Sequence, residues 1–346
     1  HREQIARQAL ETFKLIFGDS RSYGLLTGHN KNTEADFIFA TIQTISKQEV
    51  YQSFPKNYFD EIIIDEVHRA GAESYLRVMD YFKPTFYLGM TASPDRTDSF
   101  NIYELFNNNI VYEVRLKEAM ENDLLCPFHY FGISDLEIDG QPIDELSDFS
   151  KLYSDKRVNH IIDRINYYGY SGNRVKGLVF CSSKQEAKAL SDEFNKRGFK
   201  TTSLTGEDSQ EIREREVERL VADSGDVLDY IFTVDIFNEG VDIPEVNQVV
   251  MLRPTQSAIV FIQQLGRGLR KSKDKDFVVI IDFIANYKNN FLIPVALSGD
   301  NSYDKDTVRK FLSQGTRYLP GTSTIHFDEI SKQRIYSAID NVKLNT

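Results

Sequence analysis

Short apolar runs alternate with amphipathic helical stretches along most of this chain. Several runs are apolar at consecutive positions, which is typical of parallel strands that are covered on both faces. Regular alternation of strand and helix predicts a doubly wound α/β architecture with parallel sheets. The expected strands cover residues 37–41, 61–65, 87–91, 177–181, 201–205, 230–233, 248–252 and 277–282.

One helix between two of these strands has clear boundaries in the sequence. Ser183 and Glu186 have the S-x-x-E spacing of a capping box, and apolar residues then recur at helical spacing. Gly198 is expected to end this helix. With the strands before and after it, the helix forms a βαβ unit.

The length of 346 residues corresponds to two globular domains or slightly more. A stretch from about residue 101 to 141 interrupts the strand–helix rhythm, so we place a boundary near Leu125. We expect a first domain at 1–124, a second at 125–290 and the start of a C-terminal accessory region at 291–346. Helical patterns that run into both ends suggest a piece of a longer polypeptide.

Composition limits the class of protein. The net charge of −11 argues against a basic protein that coats nucleic acid, but it allows a few phosphate contacts concentrated in one groove. Cys126 and Cys181 lack the spacing of a disulfide or metal framework, which favours a reducing, cytoplasmic setting. No apolar run reaches the roughly 18 residues of a membrane span, so no membrane partner is expected.

Polar residues follow the carboxyl ends of the expected strands, where open α/β sheets bind ligands. Strand 61–65 ends in Asp65 and Glu66, with His68 close behind. Phosphoryl transfer from ATP needs a carboxylate for Mg²⁺ and a group that orients the attacking water. Asp65 could hold Mg²⁺ through water and Glu66 could polarise the attacking water. The alternative interpretation is an acid pair at the start of a helix, followed by a surface histidine. This alternative stays open because short motifs have many false positives.

Hydroxyl residues and glycines follow other strands. Thr91 and Ser93 come one strand later, where they could bond to the acids, although a Ser-Pro sequence is usually a turn. Thr233 could bond a nucleic-acid phosphate, with Gly240 and Asp242 downstream near the nucleotide. The alternative for the Gly-Val-Asp segment is a turn before a proline.

Arg267 and Arg270 are three positions apart and would share one helix face. A guanidinium group suits phosphate oxygens and can stabilise the charge that develops on a γ-phosphate. The alternative is a solvated basic helix. Gly266 and Gly268 weaken that alternative, because glycine costs helix stability unless a close backbone approach requires it. Three lysines follow closely: Lys271, Lys273 and Lys275.

In order and spacing these motifs resemble those of superfamily 2 helicases of the DExH type, over about residues 1–290. The residues of the DEVH and QQLGRGLR segments favour the branch of restriction-enzyme translocases and repair helicases. The matching segments are HREQIARQ (1–8, motif Ia), ATIQT (40–44), DEVH (65–68, motif II), TAS (91–93, motif III), GLVFCSS (177–183, motif IV), Thr205-Gly206, Thr233 with GVD (240–242, motif V) and QQLGRGLR (263–270, motif VI).

The resemblance implies two RecA-like domains facing across a cleft, the first truncated at its N-terminus, with ATP and Mg²⁺ as cofactors. It implies a nucleic-acid partner, with DNA favoured over RNA. The implied roles are catalysis (Asp65, Glu66, His68, Arg267, Arg270), coupling (Thr91, Ser93, Gln263), nucleotide binding (Gly240, Asp242, Gly266) and nucleic-acid contact (Arg2, Thr41, Gln43, Ser182, Thr205, Gly206, Thr233).

The family's motif I, G-x-x-x-x-G-K-[ST], is absent, and the chain has no Gly-Lys dipeptide. Without that loop, we expect the isolated chain to hydrolyse ATP only at background level and the intact protein to be an ATPase. The tail resembles bacterial multidomain helicases with a phospholipase-D-like nuclease domain, which suggests a nuclease in the same polypeptide. Two alternatives stay open: a duplex translocase that serves a nuclease, and a binding module that needs no nucleotide.

Overall fold

The computed structural model describes residues 3–28, 30–67, 70–91, 101–114, 116–138, 141–142, 153–234, 243–253, 266, 268–285, 289–298, 304–314 and 322–341. The chain divides into two compact units, His1–Glu113 and Val114–Thr346. Each unit is described by itself.

The first unit contains two pairs of parallel strands and the helices that pack on them. Its elements are α1 (Glu3–Phe17), β1 (Tyr23–Leu26), β2 (Phe37–Ala40), α2 (Ile42–Ile45), α3 (Gln48–Tyr51), β3 (Glu61–Asp65), α4 (Glu73–Tyr81), β4 (Phe86–Met90) and a 3-10 helix (Ile102–Phe106).

The ladder of β1 and β2 lies against α1, through the ring of Phe13. The centroid of that ring is 5.2 Å from those of Phe37 and Phe39, and both contacts are edge-on. In the described part of the chain, no hydrogen-bonded ladder joins this pair to the pair of β3 and β4. On the second pair, the side chains of Ile63 and Phe86 are about half exposed.

The second unit contains a larger sheet with helices on both faces. Its elements are α5 (Leu116–Glu121), β5 (Phe128–Ser134), β6 (Glu137–Ile138), β7 (Gln141–Pro142), α6 (Asp155–Tyr168), β8 (Gly177–Phe180), α7 (Lys184–Lys196), β9 (Thr201–Leu204), α8 (Gln210–Val221), β10 (Tyr230–Thr233), β11 (Gln248–Met251), β12 (Val278–Ile284), α9 (Leu292–Ser298), α10 (Lys305–Gln314), β13 (Thr324–Phe327) and α11 (Glu329–Asn341).

Seven strands of this unit form one sheet in the order β13-β5-β12-β11-β8-β10-β9, and every neighbouring pair is parallel. Alternate residues of β12 enter two cores: Ile280 packs with apolar residues of α8 to α11, and Ile281 packs with those of α6 and α7. Both faces are therefore buried, which explains the consecutive apolar positions in the sequence. The predicted α/β class with parallel sheets is confirmed.

The expected strands are present with ends shifted by at most two residues. One of the two hydrogen bonds of the predicted capping box of α7 is present, because Glu186 N donates to Ser183 Oγ at 3.1 Å. The second bond has a different partner: the Glu186 carboxylate accepts from Ser182 instead of Ser183. Gly198 follows α7 with a φ of +89°. Residues 322–341, which we assigned to an accessory region, supply the edge strand β13 and the helix α11 to the second unit.

Candidate functional site

The predicted acid pair lies at the carboxyl end of β3. Asp65 is the last residue of the strand and is exposed, and Glu66 is half-buried. The Glu66 N–H donates to Asp65 Oδ1 at 2.9 Å, and Glu66 has a φ of +53°. Val67 is buried and anchors the segment that follows, whereas His68 lies outside the described residues. The carboxylate of Asp65 is therefore presented to solvent at a strand end.

The register between β3 and β4 determines which residue neighbours the acids. Asp65 pairs with Met90, so Thr91 leaves β4 beside the point where Glu66 leaves β3. The structure therefore brings Thr91 next to the acid pair, as the spacing predicted. Ser93 lies outside the described residues.

Two of the other predicted contact residues of the first unit, Thr41 and Gln43, lie at the start of α2. Thr41 precedes this helix and is buried, with its Oγ1 3.0 Å from Thr44 Oγ1. Gln43, on the first turn, is exposed. Arg2 lies outside the described residues. Of this group, Gln43 is the side chain that reaches the surface.

Three predicted contact residues of the second unit share one sheet edge. The strands β8, β10 and β9 are neighbours, and Thr233 pairs with Phe180 on one side and Leu204 on the other. Ser182 comes two residues after Phe180, and Thr205 directly follows Leu204. Their carboxyl-end location agrees with the sequence analysis.

Each of these hydroxyl groups has a distinct environment. Ser182 Oγ donates to Glu186 Oε2 at 2.6 Å, and Thr205 Oγ1 lies 3.2 Å from Asp208 Oδ2. Gly206 O accepts from the guanidinium of Arg213 at 2.9 Å. Thr233 Oγ1 is buried and has no hydrogen-bond partner in the described part of the chain.

A buried arginine, which the sequence analysis missed, holds Glu186 beside Ser182. Arg157 Nη1 donates to Glu186 Oε1 at 2.8 Å and Nη2 donates to Asp135 Oδ2 at 2.9 Å, with all three side chains buried. Burial alone would lower the pKa of Arg157, but the two carboxylates outweigh it and raise that pKa. Removing one partner of such a pair typically costs about 3–5 kcal/mol.

The arginine segment is described at Gly266 and at 268–270, while Gln263 and Arg267 lie outside the described residues. Arg270 is exposed. A Cβ on Gly268 would lie 2.7 Å from Val278 Cγ1, which explains this glycine by a close backbone approach. A Cβ on Gly266 would meet nothing within 4 Å, so the same explanation fails there.

The segment that contains Gly240 and Asp242 lies outside the described residues, and the described chain resumes at Ile243. In the described part of the chain, no group of three or more His, Cys, Asp or Glu side chains could hold a metal ion by itself. No helix in that part is both long enough and apolar enough to cross a membrane.

Two protein families match separate parts of the chain. Residues 1–96 match the family "Type III restriction enzyme, res subunit", and residues 156–272 match "Helicase conserved C-terminal domain". The two matches cover the segments that contain motifs Ia to III and motifs IV to VI.

Individual relatives agree with the two family matches. The helicase IRC3 of Saccharomyces cerevisiae is 28% identical over 298 residues, which are 82% of this chain and 42% of that protein. The EcoAI endonuclease subunit, a type I restriction enzyme of Escherichia coli, is 25% identical and matches 68% of this chain and 33% of its own length. This chain thus spans less than half the length of either relative.

A solved structure agrees with these relatives. The structure of an HsdR subunit of a type I restriction enzyme from Vibrio vulnificus aligns with a TM-score of 0.61 and 27% identity, over 79% of this chain and 51% of that one. By its two family matches, its relatives and its fold, the chain is a superfamily 2 helicase-like fragment that is similar to restriction-enzyme subunits and repair-type helicases.

Proposed function

We propose that the intact protein is an ATP-driven motor that moves along nucleic acid. The acids of the first unit and the arginines of the second would act on the same ATP. The observation that carries this proposal is the exposed Asp65 carboxylate at the carboxyl end of β3, followed by Glu66 in a left-handed backbone conformation. Strained residues of this kind cluster at functional sites.

The donor set at this strand end fits Mg²⁺. This ion prefers oxygen ligands, keeps several waters, and takes one or two carboxylates together with substrate phosphates. Asp65 would hold it through water, and no cage of several carboxylates is needed. When bound, Mg²⁺ neutralises charge on the β- and γ-phosphates.

The chain's own residues would divide the remaining work. Glu66 would orient the attacking water and accept its proton, and Arg267 and Arg270 would stabilise the charge that develops on the γ-phosphate. Gly240, Asp242 and Gly266 would border the nucleotide. Residues close to the acids and the arginines would couple nucleotide state to movement: His68, Thr91, Ser93 and Gln263.

We propose DNA rather than RNA as the polymer, because restriction-enzyme subunits are among the relatives. Contacts would go to backbone phosphates, so little sequence preference is expected. The residues proposed to make these contacts are Arg2, Thr41, Gln43, Ser182, Thr205, Gly206 and Thr233, of which Thr41 and Thr233 are buried and would have to become accessible. A nuclease domain in the same polypeptide is the proposed partner.

The phosphate-binding loop is proposed to lie elsewhere in the intact protein. The absence of a Gly-Lys dipeptide from this chain supports that proposal. The two separate strand pairs of the first unit also leave room for a further strand in its sheet. The chain by itself is then expected to hydrolyse ATP at background level, with or without DNA, and DNA-stimulated turnover by this chain would contradict it.

The test of the motor proposal uses the intact protein. Glu66→Gln and Arg267→Ala should each abolish DNA-stimulated ATP hydrolysis and leave DNA binding largely intact. Glu61→Gln on the same strand and Lys273→Ala beside the arginines are matched charge controls that should keep normal turnover. Near-normal turnover in Glu66→Gln or Arg267→Ala would refute the assigned roles, and binding without any turnover in the unsubstituted protein would favour a nucleotide-independent binding module.

A second candidate is translocation on duplex DNA without separation of the strands. The likeness to an HsdR subunit of a type I restriction enzyme favours this variant. A triplex-displacement assay reports movement along a duplex, whereas a strand-displacement assay reports unwinding. Activity in the first assay alone would identify the duplex translocase.

A further inference from the structure

Beside the arginine segment lies a buried lysine whose ammonium group donates to three main-chain oxygens. Lys275 is 7% exposed, and its Nζ donates to Val246 O at 2.9 Å, to Gly268 O at 3.0 Å and also to Pro244 O. Lys271 and Lys273, in contrast, are exposed. Of Lys271, Lys273 and Lys275, it is therefore Lys275 that is buried.

The chemistry of the ammonium group makes this arrangement rigid. An ammonium has three N–H donors and no acceptor, and the three carbonyls match those three donors. A buried charge is costly unless hydrogen bonds satisfy it, and charge-assisted hydrogen bonds are about twice as strong as neutral ones. Moving any one carbonyl away would leave part of a buried charge unsatisfied.

The three carbonyls come from two segments that are close in sequence to residues assigned above to the nucleotide. Pro244 and Val246 come two and four residues after Asp242, and Gly268 lies between Arg267 and Arg270 in the sequence. The two segments are far apart in the chain, and the Lys275 side chain joins their main chains at one point.

Other contacts hold the arginine segment against the sheet without reaching the other segment. The Cys126 N–H donates to Leu269 O at 2.7 Å, and Gly268 packs against Val249 and Val278. These contacts fix where the arginine segment lies, while Lys275 fixes it relative to Pro244 and Val246.

We propose that Lys275 is a positioning residue that sets the spacing between the main chain at Pro244–Val246 and the main chain at Gly268–Arg270, and that turnover depends on this spacing. This inference rests on the motor function proposed above. Lys275 does not touch the nucleotide in this scheme. Because the arginines act on charge that appears in the transition state, loss of the link should lower kcat more than it raises KM for ATP.

A second buried lysine provides a matched control for a role in stability alone. Lys176 is 9% exposed, and its Nζ donates to Val221 O and to Asp223 Oδ1, both at 2.7 Å. It precedes β8, and its ammonium group binds the end of α8 and neither of the two segments, although its main chain shares two hydrogen bonds with Asn247. A methionine at either position keeps the apolar stem and removes the charge.

The experiment compares Lys275→Met with Lys176→Met in the intact protein, below the melting temperature of both. Lys275→Met should lower kcat by roughly 10- to 100-fold, as expected for slight misplacement of catalytic groups. KM for ATP and DNA affinity without nucleotide should stay within about threefold, and Lys176→Met should keep kcat within about twofold. If Lys275→Met keeps kcat within about twofold, or loses no more than Lys176→Met, the inference is overturned.

Hydrogen exchange of the whole chain tests the link independently of turnover. In Lys275→Met, exchange should rise together in peptides covering 243–246 and 266–275, whereas in Lys176→Met it should rise near 221–223 instead. A rise in one of the first two segments alone, or in neither, overturns the inference. If Lys275→Met does not fold, Lys275→Gln keeps two N–H donors and should show the same pattern at smaller amplitude.

These outcomes separate the inference from the motor proposal. If the motor proposal fails, the intact protein will lack ATP turnover or Glu66→Gln will keep it. If only the inference fails, Glu66→Gln will abolish turnover while Lys275→Met behaves like Lys176→Met.

Discussion

The backbone N–H of Glu66 donates to the side-chain carboxylate of Asp65, with 2.9 Å between N and Oδ1. This bond accompanies a φ of +53° at Glu66, a left-handed conformation that costs a non-glycine residue about 1–2 kcal/mol. The surrounding structure sustains that cost: Val67 is buried directly after Glu66 and Ile64 directly before Asp65.

Replacing Glu66 with asparagine should separate stability from activity. Asparagine tolerates the left-handed conformation better than glutamate does, so the melting temperature of Glu66→Asn should be unchanged or higher. ATP hydrolysis by the intact protein should fall by roughly 100-fold or more, because the amide is no general base. Calorimetry and a steady-state ATPase assay measure the two effects. A clear loss of stability would contradict the interpretation of the φ angle.

The two glycines of the arginine segment should respond differently to alanine. A Cβ at position 268 would lie 2.7 Å from Val278 Cγ1 and 3.2 Å from Val249 Cγ2, so Gly268→Ala should cost about 1–3 kcal/mol of unfolding free energy. Gly266→Ala is the control, because nothing lies within 4 Å of the added carbon and stability should hold or rise slightly. Urea unfolding measures both, and equal effects would refute the packing argument.

A buried carboxyl in the second unit should make stability depend on pH. Burial raises the pKa of Asp282 to about 7, although a hydrogen bond from Tyr130 OH, 2.5 Å away, works to lower it. Between about pH 4 and about pH 7 the folded state therefore keeps a proton that the unfolded state releases. Rising pH should lower the free energy of unfolding by up to about 1.4 kcal/mol per pH unit in that window.

Asp282→Asn removes this ionisation and isolates its contribution. The stability of the unsubstituted chain minus that of Asp282→Asn should decrease from about pH 4 to about pH 7 and then level off. Denaturant unfolding at several pH values provides the measurement. A difference that does not change with pH would mean that the folded-state pKa of Asp282 is close to its ordinary value.

The contribution of the C-terminal segment can be tested at two isoleucines. Ile325 on β13 is 4% exposed, and Ile330 at the start of α11 is 52% exposed. Ile325→Ala should cost about 2–5 kcal/mol, as for other buried aliphatic residues, while Ile330→Ala should stay within about 0.5 kcal/mol. If both substitutions left the unfolding midpoint unchanged, the last strand would add little to the second unit.

Much of the fold follows from local sequence. The runs that became β3 and β10 are uninterrupted, apolar and bounded by polar residues, so their limits could be predicted to the residue. The strand β1 was missed because Gly24 interrupts its short apolar run, Tyr23–Leu26. The strand β13 was missed because its alternating pattern follows the last buried run, where an accessory region was expected.

The positions of candidate site residues could be predicted only where they follow a strand that the sequence itself predicts. Strand ends carry the acids and hydroxyls, so Asp65, Thr91 and Thr233 could be found from spacing. Lys275 could not, because two lysines at the same spacing are exposed, and only distant carbonyls distinguish it. Arg157 and Glu186 are paired from two helices, and no local pattern marks such a pair.

The strand β13 lies beside β5, so the first and last strands of the second unit are neighbours, with 195 residues between Phe128 and Ser323. The two strands are parallel, with Thr324 opposite His129 and Phe327 opposite Gly132. A pull on the start of β5 and the end of β13 would slide them lengthwise, so their hydrogen bonds would share the load instead of unzipping one by one. This is a mechanically resistant way to close a domain, and it would suit the motor along nucleic acid that is proposed above.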